Sequence, residues 1–327
     1  MATVTNHSRY LSSHLDAARQ SYPVMRKRPL GATGLSVGEI GIGTAALAGG
    51  WLSSVPDEEA CFTLGLALDM QVSLVDVSAS KGHERVSSLV GSAIKNRRHQ
   101  AQICLRVEGG PEEIRRETEG ALAALGTGHV DVLLWDRPTV QELKSRDSAW
   151  AALGDLKKQG KALSLGVCLE QPEALRVAIE QGAAEVLQFP LNIFDQANAR
   201  ILDAAEAKGI GLIASRPLDS AWLTGRYGAG HIFLDSRNRW SRADKARRGR
   251  LQESVEALVS KSGTTTAQAA LQFVLSFPQL SCVVASVSDW HQVVGNVDAA
   301  RGTLDPLVVE QLKRLWADEL QAHPLVP

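Results

Sequence analysis

The sequence predicts an α/β fold, a (β/α)8 TIM barrel of parallel strands, and three observations support this prediction. Eight short apolar runs of strand length alternate with stretches whose apolar residues recur every three or four positions, as in amphipathic helices. The first run is not followed by the GxGxxG pattern of a doubly wound open sheet, the alternative fold. Three of the runs end in an ionisable residue: Val72–Asp76, Ile103–Arg106 and Val130–Asp136. Because the C-terminal strand ends of such a barrel open on one face, these charges are expected to share a site.

The individual elements follow from this alternation. The predicted strands are Glu39–Thr44, Ser73–Asp76, Gln102–Val107, Val130–Trp135, Leu163–Cys168, Val186–Phe189, Leu212–Ser215 and Cys282–Ala285. The clearest predicted helices are Asp57–Leu68, Glu112–Leu125, Trp150–Gln159, Pro172–Gln181 and Asn198–Lys208. Five of the eight strands are thus followed by a segment that can cross back over the outside of the barrel.

Two further elements flank the eightfold alternation. Arg26–Val37 predicts a short hairpin that turns at Gly31 and Gly34 and plugs the floor of the barrel. Leu307–Leu320 keeps helical spacing without a glycine, which predicts one more helix against the barrel or its mouth. Neither element is expected to carry chemistry.

The segment Gly225–Leu251 is predicted to be a long loop that forms a flap over the open face. It carries eight arginines and lysines between Arg226 and Arg250. A solvated surface run is the favoured interpretation, and a lid that binds an anion is the alternative.

Length and charge limit the classes of function. The chain has 327 residues, enough for one barrel domain over residues 25–327, preceded by a polar, flexible arm over residues 1–24. Its formal net charge of −1 gives no general attraction to nucleic acid or to an anionic membrane. No apolar run reaches the roughly 18 residues of a membrane helix. A cytoplasmic protein with a small-molecule substrate is therefore expected.

The cysteines indicate no metal site. Cys61, Cys104, Cys168 and Cys282 are scattered, without a CxxC pair or a histidine at ligand spacing. We interpret them as buried thiols in a reducing compartment.

Several motifs resemble the aldo-keto reductase family over nearly the whole chain, from Arg28 to about Arg301. RPLGATGLSVGEIGIGT is similar to the opening hairpin and first strand of the family, and LGLALDMQVSLVDVS to its first helix and second strand. GIGLIASRPLDSAWLTGRY and SDWHQVVGN resemble the seventh strand with its turn and the last cofactor-binding loop. The resemblance implies a barrel that binds NADPH, reduces carbonyl compounds with an Asp, Tyr, Lys and His tetrad, and works as a monomer or small homo-oligomer.

The resemblance places the tetrad on a different set of side chains. Asp76 matches the aspartate, whereas Lys81 falls on the tyrosine position, Arg106 on the lysine position and Asp136 on the histidine position. The three tyrosines of the chain lie elsewhere, at Tyr10, Tyr22 and Tyr227. The phenol that would protonate a carbonyl oxygen is therefore expected to be missing.

The resemblance also assigns the residues that would hold the cofactor. They are Gln188, Ser215, Arg216, Leu218, Ser288, Gln292 and Asn296. The Ser-Asn pair expected after the fifth barrel strand is Cys168-Leu169, and the last loop has Ser286, Val287 and Ser288 in place of a glycine and a basic residue. NADPH is thus the candidate cofactor, and these departures count against its binding.

Three functions remain open for the quartet Asp76, Lys81, Arg106 and Asp136. The first is a non-redox acid/base enzyme, a dehydratase, isomerase or lyase whose enolate is held by Arg106 and Lys81. The second is an NADPH-dependent carbonyl oxidoreductase in which the Lys81 ammonium, with a reference pKa of about 10.4 against about 10 for tyrosine, donates the proton. The third is a structural ion-pair cluster in a non-catalytic binding or regulatory protein.

Three tryptophans are candidates for the substrate pocket. Trp51, Trp135 and Trp222 fall in or beside loops at the open face, where they could sandwich a flat apolar ligand. Core packing explains each of them equally well.

Overall fold

The protein is a closed barrel of eight parallel strands, as the sequence predicts. The structure is a computed structural model that describes residues 25–48, 55–80, 84–145 and 149–326. The arm predicted for residues 1–24 lies outside the described residues. The single domain over residues 25–327 stays a prediction.

Strands run in chain order around the barrel, and the first barrel strand pairs with the last. A hairpin of β1 (Lys27–Pro29) and β2 (Ser36–Gly38) precedes the barrel. The barrel strands are β3 (Ile40–Gly43), β4 (Leu74–Ser78), β5 (Gln102–Val107), β6 (Val130–Asp136), β7 (Ala162–Cys168), β8 (Val186–Pro190), β9 (Gly211–Ser215) and β10 (Cys282–Ser286). Their observed bounds differ from the predicted ones by at most two residues.

Helices cover the outside of the barrel and follow the chain. They are α1 (Asp57–Asp69), α2 (Glu84–Ile94), α3 (Pro111–Leu125), α4 (Val140–Lys144), α5 (Ala149–Lys158), α6 (Pro172–Gln181), α7 (Leu202–Glu206), α8 (Arg242–Val259), α9 (Thr266–Leu275), α10 (Trp290–Ala299) and α11 (Pro306–Glu319). Among the described helices, none combines the length and hydropathy that a membrane span requires.

Two predicted elements differ from the structure. The helix predicted over Asn198–Lys208 is a 3-10 turn, Ala197–Ile201, followed by the short α7. The loop predicted over Gly225–Leu251 is helical in its last part, because α8 begins at Arg242. Ser241 starts α8 with a capping box: its hydroxyl accepts from the Asp244 amide, and the Asp244 carboxylate accepts from the Ser241 amide. Arginine is also a good helix former, so a basic run need not be a loop.

The hairpin closes the floor of the barrel through Leu30. This side chain is fully buried, in an apolar cluster that also contains Val132 and Leu134. Leu133 belongs to the other, outer cluster, so the cluster around Leu30 faces the barrel interior. Leu30 fills the space that Gly211 leaves, since a Cβ atom there would lie 2.7 Å from Leu30 Cγ.

Leu30→Ala is expected to lower the free energy of unfolding by about 2–5 kcal/mol, because it leaves a cavity in a closed interior that cannot collapse. Urea unfolding followed by circular dichroism measures this loss. The control is Leu307→Ala, where the side chain is 73% exposed and little change is expected. Equal losses in the two variants would contradict the role of the plug.

Candidate functional site

The predicted site residues Asp76, Arg106 and Asp136 meet at the C-terminal ends of β4, β5 and β6. Each lies two positions beyond an interior apolar residue of its strand, so strand alternation turns all three side chains inward. Arg106 Nε donates to Asp76 Oδ1 at 2.9 Å, and Arg106 Nη1 donates to Asp136 Oδ2 at 3.1 Å. One guanidinium therefore bridges two buried carboxylates.

This arrangement fixes the charge of Arg106. The nearby Asp76 carboxylate raises the pKa of the guanidinium and outweighs the opposing effect of burial. The side chain stays 21% exposed, and its third nitrogen, Nη2, donates no hydrogen bond to another described residue. Arg106 can thus offer a charged donor to an oxygen atom at the mouth of the barrel.

Burial favours the neutral form of Asp136, whereas Arg106 stays charged. Burial raises the pKa of its carboxyl group, although the positive charges of Arg106 and Arg137 counteract part of this effect. Asp136 therefore keeps a proton to a higher pH than an ordinary aspartate. A carboxyl group of this kind suits proton transfer.

The raised pKa of Asp136 predicts a pH-dependent stability. The folded protein binds this proton more tightly than the unfolded chain does, so stability falls as the pH rises from the unfolded pKa through the folded one. Asp136→Asn should flatten the slope of the unfolding midpoint against pH over this acidic window. Scanning calorimetry at stepped pH measures the slope, and Asp155→Asn, at a half-exposed side chain, is the control. Identical slopes for wild type and Asp136→Asn would refute the assignment.

Asp136, Cys168 and Gln188 are Cα partners across β6, β7 and β8. Cys168 is half-buried, and its side chain packs against the interior apolar cluster. Gln188 is only 1% exposed, and neither Oε1 nor Nε2 has a partner within the described residues. An unpaired buried amide is destabilising by about 1–3 kcal/mol, so a hydrogen-bonding partner for Gln188 would stabilise the protein.

The other predicted cofactor residues fall into two groups. Ser215 ends β9, Arg216 forms an ion pair with Glu170, and Leu218 packs against the core. On the other side, Ser288 donates its amide to Gln292 Oε1 at 3.1 Å, and Gln292 Nε2 donates to Ser288 Oγ at 2.8 Å.

Gln292 also contacts the helix cap at the start of α10. Its Nε2 donates to Asp289 Oδ2 at 2.6 Å, and Asp289 caps the helix by accepting from the Gln292 amide. Asn296 is buried on the same helix. The polar groups of this last loop therefore satisfy one another, in contrast to Gln188.

The structure does not bring Trp135 or Trp222 into the barrel interior. Trp135 alternates with the interior Leu134 and packs edge-on against Trp150 at 5.9 Å between the centroids, outside the barrel wall. Trp222 is fully buried and lies 5.9 Å from Trp240 in an aromatic cluster. Their substrate-pocket role stays a prediction. Lys81 and Trp51 lie outside the described residues.

The sequence analysis gives Cys168 no role in the site, although its position in the strand predicts that its side chain points inward. Strand alternation places residues 136, 168 and 188 on inward-facing positions of three consecutive strands, and the register makes them neighbours. Within the described residues, no group of three or more His, Cys, Asp or Glu side chains could hold a metal ion.

A model described as "Aldo/keto reductase family" matches residues 39–317. An uncharacterised oxidoreductase of Bacillus subtilis (strain 168) is 22% identical over 318 residues, which are 91% of this chain and 97% of that protein. The NADH-specific methylglyoxal reductase of Escherichia coli (strain K12) is 23% identical over 306 residues, covering 84% of this chain and 93% of the reductase.

Solved structures show the same fold. An aldo-keto reductase from Bacillus halodurans superposes with a TM-score of 0.76 at 19% identity, covering 89% of this chain and 96% of that one. A glycerol dehydrogenase from Gluconobacter oxydans gives 0.75 at 22% identity, covering 93% and 97%. At these identities the likeness bears on the fold alone.

Proposed function

The chain belongs to the aldo/keto reductase family, and from that premise we propose that it is an oxidoreductase that uses NADH or NADPH to interconvert a small carbonyl compound and its alcohol. The observation that carries this proposal is Gln188, whose buried amide has an unpaired donor and an unpaired acceptor at the level of Asp136, two strands along the barrel. The carboxamide of a nicotinamide ring has the matching acceptor and donor. The curated relatives named above are oxidoreductases, which supports the same class.

Two groups of residues would hold the cofactor, one at its nicotinamide end and one at its other end. Gln188 would bind the nicotinamide amide, and Ser215, Arg216 and Leu218, at and after the end of β9, would line the same mouth. Ser288, Gln292 and Asn296 belong to the loop and helix after β10, and Ser288 and Gln292 would have to exchange their mutual hydrogen bonds for ligand atoms. The fit is therefore better at the nicotinamide end. When bound, the cofactor supplies or accepts the hydride.

The side chains of the protein would handle the oxygen atom and the proton. Arg106 Nη2 would donate to the substrate oxygen and stabilise negative charge that develops there. Asp136 would give the proton to that oxygen in reduction and take it in oxidation. Asp76 holds the guanidinium in place through the 2.9 Å hydrogen bond to Nε. This division of roles replaces the Lys81 proton donor that the sequence suggests with a carboxyl group whose position is described.

One observation favours the non-redox acid/base function as a second candidate. Because Ser288, Gln292 and Asp289 form hydrogen bonds with one another, these three side chains are not free to bind a dinucleotide. The Asp76–Arg106–Asp136 bridge would then hold an enolate in an elimination, isomerisation or lyase reaction. The cytoplasmic location, the monomeric or small oligomeric state and the absence of nucleic-acid or membrane partners stay predictions.

Titration of NADH and NADPH into the purified protein separates the two candidates. Calorimetry and nicotinamide fluorescence should both report binding in the micromolar range, equivalent to about 8 kcal/mol. Absorbance at the reduced nicotinamide band should then follow turnover with a panel of small aldehydes, ketones and polyols. Absence of binding for both nucleotides would overturn the oxidoreductase proposal and leave the acid/base candidate.

A further inference from the structure

Three consecutive residues in the turn after β9 have a left-handed backbone conformation. The φ angle is 43° at Asp219, 56° at Ser220 and 68° at Ala221. None of the three is a glycine, so the conformation is unfavourable at each position. Such a run persists only where neighbouring groups hold it in place. The left-handed turn, Asp219–Ala221, therefore needs support from the rest of the protein.

The left-handed turn is joined to two residues of the proposed cofactor site. The Asp219 amide donates to the Arg216 carbonyl at 3.2 Å, and the Leu223 amide, just after the turn, donates to the Leu218 carbonyl at 3.1 Å. A change in the conformation of the turn would therefore move the backbone of Arg216 and Leu218.

Arg248 on α8 supports the left-handed turn. Its Nε donates to Asp219 Oδ2 at 3.3 Å, and its guanidinium lies over the Trp240 ring, 4.1 Å from the centroid. Its Nη2 donates to the Val326 carbonyl at 2.6 Å, so the C-terminal tail helps to cover it. The Arg248 side chain is only 1% exposed. Because water is largely excluded, the attraction between Arg248 and Asp219 is weakly screened and can oppose the backbone strain.

The burial of Arg248 is not explained by its own hydrogen bonding. Its Nη1 has no partner within the described residues, and an unpaired buried donor is unfavourable. In the described part of the chain, its one ion pair is with Asp219. Arg237 differs, because it pairs with Asp235 close by in the chain and also donates from Nη1 to the Ser220 carbonyl at 3.2 Å. The charge of Arg248 is thus directed at the left-handed turn.

We propose that Arg248 is a positioning residue: through Asp219 it holds the left-handed turn in the conformation that presents Arg216 and Leu218 to the nicotinamide cofactor. This inference rests on the proposed function, in which those two residues bind the cofactor. Arg248 acts on the cofactor through the turn.

The test compares Arg248→Met with the double variant Arg248→Met, Ala221→Gly. Methionine keeps much of the side-chain volume but removes the charge, so the Kd for NADH or NADPH should rise about tenfold, which corresponds to the strain of about one left-handed residue. Glycine adopts the left-handed conformation readily, so Ala221→Gly should restore most of the affinity. If Arg248 only packed against its neighbours, a glycine in the turn would not reverse the loss.

The matched control is Gln71→Gly in the Arg248→Met background. Gln71 is another left-handed residue, with φ of 63°, but it precedes β4 and so lies at the opposite end of the barrel from the proposed cofactor site. Its replacement relieves similar strain and should leave the nucleotide affinity low. Equal rescue by the two glycines would overturn the inference.

Amide hydrogen exchange without nucleotide measures the turn directly. The Asp219 and Leu223 amides should exchange about tenfold faster in Arg248→Met than in the wild type and return towards the wild-type rate in the double variant with Ala221→Gly, while the amides of β6 show that the barrel is intact. Unchanged exchange at Asp219 and Leu223 in Arg248→Met would also overturn the inference. Because the exchange experiment needs no nucleotide, failure of the proposed function would show separately, as a wild type that binds neither NADH nor NADPH.

Discussion

Arg106→Met is expected to lower the free energy of unfolding by about 3 kcal/mol and turnover by about 10²–10³-fold. Methionine keeps much of the side-chain volume but removes the only guanidinium between two buried carboxylates in the described part of the site. The uncompensated charges destabilise the fold, and the substrate oxygen loses its charged donor. Urea unfolding measures the first effect, and steady-state kinetics with the substrate found in the panel measures the second.

The matched control is Arg137→Met. Arg137 is 57% exposed and pairs with Glu108 at 2.7 Å at the rim, so its loss should change stability by less than about 1 kcal/mol. Adding Asp76→Asn to Arg106→Met should restore part of the lost stability, because one of the two facing charges is then gone, but it should restore no turnover. A stable, active Arg106→Met variant would show that the bridge is dispensable for both.

Gln188→Leu is expected to change stability and binding in opposite directions. Leucine removes a buried amide that has no partner within the described residues, which should stabilise the protein by about 1 kcal/mol. The same change removes the proposed nicotinamide contact and should weaken binding of NADH or NADPH about tenfold or more. Thermal unfolding without ligand and calorimetric titration measure the two effects on one sample.

Gln272→Leu is the control for this pair of effects. Gln272 is also buried, but its Nε2 donates to the Ala299 carbonyl at 3.1 Å, at the C-terminal end of α10 and away from the loop that precedes this helix. Its replacement should destabilise the protein and leave nucleotide binding unchanged. If Gln188→Leu destabilises the fold and keeps full nucleotide affinity, Gln188 is a structural residue and the proposed cofactor contact is wrong.

The barrel and the central part of the site could be predicted because both follow from strand periodicity. Strand alternation fixes the side of the barrel wall to which an ionisable residue at the end of an apolar run points, and parallel strands bring these ends together. The proximity of Asp76, Arg106 and Asp136 could therefore be predicted from the sequence. The pairing of these side chains was not, because it depends on the register between neighbouring strands. Arg106 is the Cα partner of Ser78 on β4 and of Leu134 on β6, so each of the two aspartates lies two positions away from it along its own strand.

Features that depend on side-chain direction or local capping were harder to predict. Trp135 lies one residue before Asp136. Because successive side chains of a strand point to opposite faces, Trp135 lies on the outer side of the barrel wall. The basic run before Leu251 has the composition of a surface loop, yet the Ser241–Asp244 capping box starts a helix there. The free amide of Gln188 depends on what surrounds it in space, and sequence alone does not show that.

The pairing of the first barrel strand with the last has a consequence for synthesis of the protein. Ile40 on β3 is the Cα partner of Val283 on β10, and Arg28 and Arg26 donate to the carbonyl groups of Leu280 and Ala300, each at 2.9 Å. The ribosome adds about 5–20 residues per second, so the open edge of β3 waits on the order of tens of seconds for its partner. Such an unpaired edge is a template for association with other chains. The time for which the edge of β3 stays unpaired, rather than the stability of the finished barrel, therefore determines how strongly the growing chain is exposed to aggregation during translation.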